Sequence, residues 1–306
     1  MRRPWLAALP LLLPAGLPAQ VVNDWSDTTS AVVTSMNEGT VKEDDYAAQG
    51  IFMDWESVLS DFEGYGGSEA VESMAEDIRA EAPSSISELL LPDGTTISLP
   101  SVPDENGIDL FLLTREGIYI YLAINNPAYH YEPDDDVVKW IRYYAYERRA
   151  YTKRIFNRYA AWEPSVKRYF ELSGIPPELA ELCLIESGCT YGAVSPAGAA
   201  GLWQIMPATG RQFGLRIDES LDERLDPVSS TFAAARILLA NHRHTGDWTL
   251  AAAAYNCGAG RVMSEVKKHG HSWEDIRTAL PPETRQYIPS LLAIHYVWTY
   301  REKLAL

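Results

Sequence analysis

Apolar and polar positions follow two different patterns along the chain. From Val137 onward apolar residues recur at helical spacing between turns marked by glycine and proline. Val137 to about Trp162 carries aromatics and arginines without a breaker and reads as one helix. Pro176-Pro177 opens a helix bearing Leu179, Leu182 and Ile185, and Gly188 closes it. Asp226-Pro227 reads as an N-cap with proline at the first helical position, and Val228, Phe232, Ala235 and Leu239 form one apolar stripe behind it. Gly246 ends that helix, Asp247 caps the next over Trp248–Cys257, and Gly258 stops it. A last helix holds Leu291, Ile294 and Trp298.

Ahead of Val137 the texture differs. Thr95–Leu99 and Gly117–Tyr121 alternate in the manner of strands, with Asp93-Gly94 as a turn before the first. Asn125, Asn126, Pro127 and the run Glu132–Asp136 mark a linker whose acids also suit the start of a helix. Residues 21 to 81 scatter apolar side chains among acids and read as weak helices or a partly ordered arm. The expected class is mainly α: a helical domain over 131–306, preceded by an acidic segment over 20–130 that contains short strands. The motifs and most of the apolar periodicity lie beyond residue 130, so the helical domain is expected to stand without the acidic segment. There is no internal repeat and no low-complexity tract.

Charge sharpens that division. Residues 21–136 hold 25 acidic and three basic residues; residues 137–306 hold 17 acidic and 21 basic ones. An acidic face over a third of the chain argues against nucleic acid. Arg2 and Arg3, the apolar run Trp5–Leu17 and the small-residue site before Gln20 have the form of a secretory leader over 1–19, so export is expected. That run is too short and proline-rich for a bilayer span, and no integral membrane segment is expected. In an oxidising compartment Cys183, Cys189 and Cys257 allow one internal disulfide and leave one thiol. His242-x-His244 and His269-x-His271 point to different helix faces and lack a completing carboxylate or thiol, so neither metal nor cofactor is expected. Tyr143, Tyr144 and Tyr146 read as helix packing rather than a glycan platform.

Glu186 is the candidate for chemistry. Apolar neighbours from Leu182 to Ile185 and the carboxyl end of a helix both disfavour its ionised form. A carboxyl still protonated near neutral pH is what a general acid needs, whereas a lone exposed glutamate would need no such explanation. Three further clusters follow: Gly201-Leu202-Trp203-Gln204-Ile205-Met206-Pro207 after the small-residue stretch Ser195–Ala200, then Ala254-Tyr255-Asn256-Cys257-Gly258, then Glu283-Thr284-Arg285-Gln286-Tyr287.

Together these motifs resemble the lytic transglycosylases with a soluble-type, lysozyme-like catalytic domain. The preamble Lys139–Tyr144 is most similar to the membrane-bound type D branch. The resemblance implies a lysozyme-like fold, Glu186 as sole acid/base, and Ser195 and Gln204 as residues holding the N-acetylmuramyl unit. It implies that Tyr255 and Tyr287 line the site and hydrogen-bond around the glutamate, that Ser187 and Asn256 fix the loops, and that Trp203 stands in the cleft wall. Cys189 and Cys257 fall in two motifs that converge at the cleft and form one candidate pair, while Cys183 reads as a small buried hydrophobe. The substrate implied is the glycan strand of peptidoglycan, met in the periplasm after secretion across the inner membrane.

No second carboxylate stands out in the matched motifs, and Asp226 is better explained as a helix cap than as a partner to Glu186. The resemblance then implies that the substrate's own N-acetyl group assists and that the product is a 1,6-anhydro ring. A water-using muramidase of similar fold, or a non-catalytic peptidoglycan-binding protein, are the other readings. Two features depart from the branch's usual pattern: no carbohydrate-binding repeat follows before Leu306, and residues 20–130 match no motif.

Overall fold

The computed structural model describes residues 85–90, 96–124, 127, 129 and 133–306. The expected leader, the arm over 21–81 and the Asp93-Gly94 turn lie outside the described residues. β1 (Ser85–Leu90) pairs antiparallel with β2 (Thr96–Ser101), Ser85 facing Ser101 and Leu90 facing Thr96. The alternation at 95–99 thus marks a real strand. The second alternating run does not: Gly117–Tyr121 lies inside helix α1 (Arg115–Ile124). Thr114 starts that helix, its hydroxyl accepting from Gly117 N at 3.0 Å and its carbonyl from Ile118 N at 3.0 Å. Ile118, Tyr121 and Leu122 are its buried face, a spacing of three and four that the shorter alternation hides.

The helix expected over 137–162 is interrupted. α2 (Asp135–Arg142) begins at Asp134, whose carboxylate accepts from Val137 N at 3.1 Å. A single π turn (Tyr143–Glu147) follows, and α3 (Arg149–Leu172) resumes beyond Arg148. Tyr143 and Tyr144 are buried against Trp140, so their role is packing. Next come a 3-10 turn (Pro177–Glu181), α4 (Leu182–Ser187) and α5 (Pro207–Gln212). α6 (Pro227–Thr245) and α7 (Trp248–Cys257) start at Asp226 and Asp247, each capping as expected, and Gly246 and Gly258 end them. In α6 the buried face runs through Ala233, Ala234, Ile237, Leu238 and Asn241. Of the expected stripe only Ala235 is fully buried, because α7 packs against the neighbouring alanine side of the helix. α8 (Ala259–His269), α9 (Trp273–Ile276) and α10 (Pro282–Thr299) complete the fold.

α10 runs through the core, buried without a break from Tyr287 to Trp298. A helix enclosed on every side must find a partner for each polar side chain it carries. It does so across five segments: Tyr287 reaches Glu186, Ser290 reaches Tyr144, His295 reaches Glu181, Tyr296 reaches the Leu112 carbonyl and Trp298 reaches Glu163. Residues 99–124, which precede the linker, share this core. Arg142 Nε donates to Leu113 O at 3.0 Å, Tyr300 donates to Tyr121 O at 3.1 Å, and Asp109 N donates to Lys303 O at 2.9 Å. Among the described residues no helix is long and apolar enough to cross a membrane, and no three His, Cys, Asp or Glu side chains gather as a metal site.

Candidate active site

α4 is one and a half turns long, and its conformation is enforced from both ends. Gly188 stops it at φ 59°, donating to Leu184 O at 3.2 Å, and Cys189 follows at φ 56°, donating to Cys183 O at 2.9 Å. A Cβ on Gly188 would stand 2.8 Å from Ile155 Cγ2, so both the left-handed turn and the space require glycine. Arg158 of α3 covers the carboxyl end of the helix, donating to Gly188 O at 3.2 Å and Thr190 Oγ1 at 2.9 Å. Cys183 and Cys189 are joined as a disulfide across this segment, with Cα atoms 5.1 Å apart. This corrects the candidate pair Cys189–Cys257: Cys257 is the remaining thiol, half-buried at the end of α7.

Glu186 occupies the last turn of α4, half-buried. Tyr287 donates to its Oε1 at 2.5 Å. Burial pushes the Glu186 carboxyl up to about 8; the Tyr287 bond favours the charged form and partly opposes this, and the nearby Glu283 charge raises it further. At neutral pH the group therefore holds its proton. Burial and the Glu186 charge likewise hold the Tyr255 and Tyr287 phenols far above their ordinary range, so both remain donors.

The other expected site residues fall into two groups. Tyr255 comes into the field of Glu186 but gives its hydrogen bond to Trp203 O at 2.9 Å, not to the carboxyl. Asn256 donates to Glu283 Oε1 at 2.8 Å and accepts from Thr284 Oγ1 at 2.7 Å, joining the third motif to the fourth. Ser187 donates to Leu202 O at 2.8 Å and accepts from Thr190 N at 3.0 Å, tying the glutamate's helix to the loop after it.

Ser195 and Gln204 belong to that loop, which folds back on itself through bridges at Val194–Ala200 and Ala200–Ile205. The Ser195 hydroxyl accepts from Ala199 N at 2.9 Å and shapes a turn. Gln204 sits at φ 44°, its amide donating to Gly201 O at 2.9 Å while Oε1 is buried and unpartnered. Trp203 differs from expectation. Its ring is fully buried, stacked on Phe170 and bonded through Nε1 to Thr231 Oγ1 at 2.9 Å, so it supplies the site with a carbonyl rather than a cleft wall.

Three participants escape a reading of the sequence. Arg224 clasps the loop, donating to Gly198 O at 2.7 Å and Ile205 O at 3.0 Å while Asp222 holds its guanidinium. Gly201 admits this arginine's backbone, since a Cβ there would stand 1.8 Å from Arg224 O. Arg158 is the second. The third is Glu283, a second carboxylate inside the fourth motif and close enough to raise Glu186, where the motifs were read as offering none.

Fold and site define a helical domain with a carboxyl, Glu186, raised to about 8 and bonded by Tyr287. Residues 171–277 match the family model described as the transglycosylase SLT domain. Over 124 residues the chain is 44% identical to membrane-bound lytic murein transglycosylase D of Escherichia coli K12, an alignment covering 39% of this chain and 27% of that protein. It is 29% identical over 149 residues to the soluble lytic murein transglycosylase of the same strain, covering 46% and 23%. Superposition on the crystal structure of the 70 kDa soluble lytic transglycosylase of E. coli covers 81% of this chain and 45% of that one, at 17% identity and a TM-score of 0.41. The chain spans about a quarter of the length of the two curated relatives. Residues 171–277 are thus similar to a transglycosylase SLT domain, and the mainly α expectation holds.

Proposed function

We propose that the protein is a peptidoglycan lytic transglycosylase that cleaves the β-1,4 bond between N-acetylmuramic acid and N-acetylglucosamine and leaves 1,6-anhydromuramyl ends. The observation that carries this is Glu186, raised to about 8 and held by Tyr287 in a domain of the SLT kind. Glu186 gives its proton to the bridging oxygen, the C1–O bond breaks, and the N-acetylglucosamine side leaves as an alcohol. The N-acetyl oxygen of the muramyl unit shelters C1 meanwhile. The muramyl C6 hydroxyl then attacks C1 and returns its proton to Glu186, so no water is consumed. Tyr287 steadies the carboxyl while Tyr255 holds the Trp203 carbonyl beside it, and Gln204, with one unpartnered oxygen, and Ser195 are the proposed muramyl contacts. Ser187, Asn256 and the Trp203 carbonyl hold the loops around them. No cofactor enters these steps. The leader-like residues 1–19 support export to the periplasm, where the glycan strands lie, and 131–306 is the proposed catalytic region, its core completed by residues 99–124.

Glu283 favours one competing reading, a hydrolase in which this carboxylate activates water. Mass analysis of products from purified peptidoglycan separates the two. Ring closure gives muramyl ends lighter by one water and inert to borohydride; hydrolysis gives reducible ends. Glu186→Gln keeps shape and removes the proton, and should cost at least about 10²–10⁴ in rate with the melting temperature unchanged.

A further inference from the structure

We propose that Glu181 and His295 are positioning residues, a buried pair that fixes the alignment of Glu186 against Tyr287. This rests on the lytic reading for its kinetic arm alone. The two elements that meet at the site meet a second time inside the core. Glu181 closes the 3-10 turn that runs directly into α4, five residues before Glu186. His295 lies on α10, eight residues past Tyr287, about 12 Å along the axis. His295 Nδ1 and Glu181 Oε2 stand 2.8 Å apart, and Glu181 has no exposed surface.

The pair belongs to a closed ring. Glu181 Oε1 meets Lys167 Nζ at 3.2 Å, Lys167 meets Glu163 Oε1 at 3.0 Å, and Glu163 Oε1 accepts from Trp298 Nε1 at 3.1 Å. Trp298 is one turn beyond His295 on α10, which returns the path to its start. This circuit of two hydrogen bonds and two ion pairs ties α3, the 3-10 turn and α10 to one another and helps fix their relative placement.

The charges are mutually sustained. Burial disfavours both ionised groups, but His295 and Lys167 hold Glu181 below the ordinary carboxylate range, and Glu181 with Glu178 holds His295 above the ordinary imidazole range. The Tyr129 ring lies edge-on to His295, and the Tyr129 and Tyr159 phenols feel the field of Glu181 and Glu178. Apolar residues of similar volume generally stabilise such a location as well as an ion pair does, so stability alone does not explain the pair. Alignment does, because the Tyr287–Glu186 bond at 2.5 Å depends on the offset between the same two elements, and misplacement by about 1 Å costs about 10²-fold in rate.

The test uses the full chain and the variant Glu181→Met/His295→Leu. It should melt within about 5 °C of the parent, because apolar replacement preserves the packing. Its kcat on purified peptidoglycan should fall about tenfold or more with KM within about twofold. By carboxyl-carbon NMR, Glu186 should titrate at higher pH than in the parent, since the Tyr287 bond that favours its charged form is loosened. His295→Asn, which keeps a donor near the Nδ1 position, should recover kcat to within about threefold of the parent. A folded double variant with parental kcat and an unmoved Glu186 titration would overturn the proposal. Should the double variant not fold, Trp298→Phe opens the ring elsewhere; a fall in kcat of about threefold or more supports the pair, and parental kcat overturns it. If the parent itself releases no anhydro ends, the proposed function fails, and the NMR titration still decides the positioning role.

Discussion

Asn256 presents its amide to Glu283 Oε1 at 2.8 Å, holding an exposed carboxylate in the field of the half-buried Glu186. A like charge nearby disfavours ionisation of Glu186. Glu283→Gln keeps an oxygen for Asn256 and removes that charge. The alkaline limb of the pH–rate profile should then move to lower pH, and the rate at pH 8 should fall by less than about tenfold. Because Glu283 is exposed, raising the salt should shrink the difference between variant and parent. An alkaline limb that stays in place would remove Glu283 from the electrostatics of the site.

Tyr287→Phe works in the opposite direction. The phenol favours the Glu186 carboxylate, so its loss should raise the titration of Glu186 and move the alkaline limb upward. The rate at neutral pH should nevertheless fall by about tenfold to a hundredfold, since the carboxyl loses the contact that aims it. Profiles of parent and variant between pH 5 and 10 check both signs.

The Glu181–His295 pair makes stability depend on pH at two edges. His295 titrates above its ordinary 6.5 in the folded protein, so its contribution is complete below 6.5 and is lost as pH rises through the folded value. Glu181 titrates below its ordinary 4.5, so its contribution is complete above 4.5 and is lost as pH falls through the folded value. Urea midpoints should therefore form a plateau between those edges. In His295→Asn the alkaline decline should flatten; persistence of the full decline would assign it to other groups.

What the sequence makes legible is local. Asp226 and Asp247 cap their helices, and Gly188, Gly246 and Gly258 end theirs, because a cap involves residues three or four apart. Glu186 stands out because its apolar neighbours adjoin it in sequence. Gly117–Tyr121 misleads because five alternating residues satisfy two periods at once, and the Thr114 cap and the cover supplied by Tyr300 decide between them. Trp203 misleads because a tryptophan beside a site glutamine suits a cleft and a core equally. Contacts across long separations leave no trace in spacing: Tyr287 with Glu186, Arg224 with Gly198, and His295 with Glu181.

Residues 99–124 belong to the helical body, and a truncation shows whether they are needed there. A chain begun at residue 131 loses Phe111, Leu112, Leu113, Ile118, Tyr121 and Leu122, all buried. At about 1.5–3 kcal/mol for each large buried side chain, the loss rivals the whole stability of about 5–15 kcal/mol typical of a domain. That chain should show no cooperative thermal transition by circular dichroism, whereas one begun at residue 85 should melt as a unit. A cooperative melt of the shorter chain would show that the early helices are dispensable.

The buried course of α10 also orders events in time. Tyr287 contacts a glutamate 101 residues upstream, and Tyr296 contacts a carbonyl 184 residues upstream. Both closures wait until the chain has been made through Thr299, and closing loops of that length is slow. A nascent chain that still lacks this helix contains the glutamate without the tyrosine that orients it. Alignment of Glu186 therefore waits on α10, however early the glutamate itself was made.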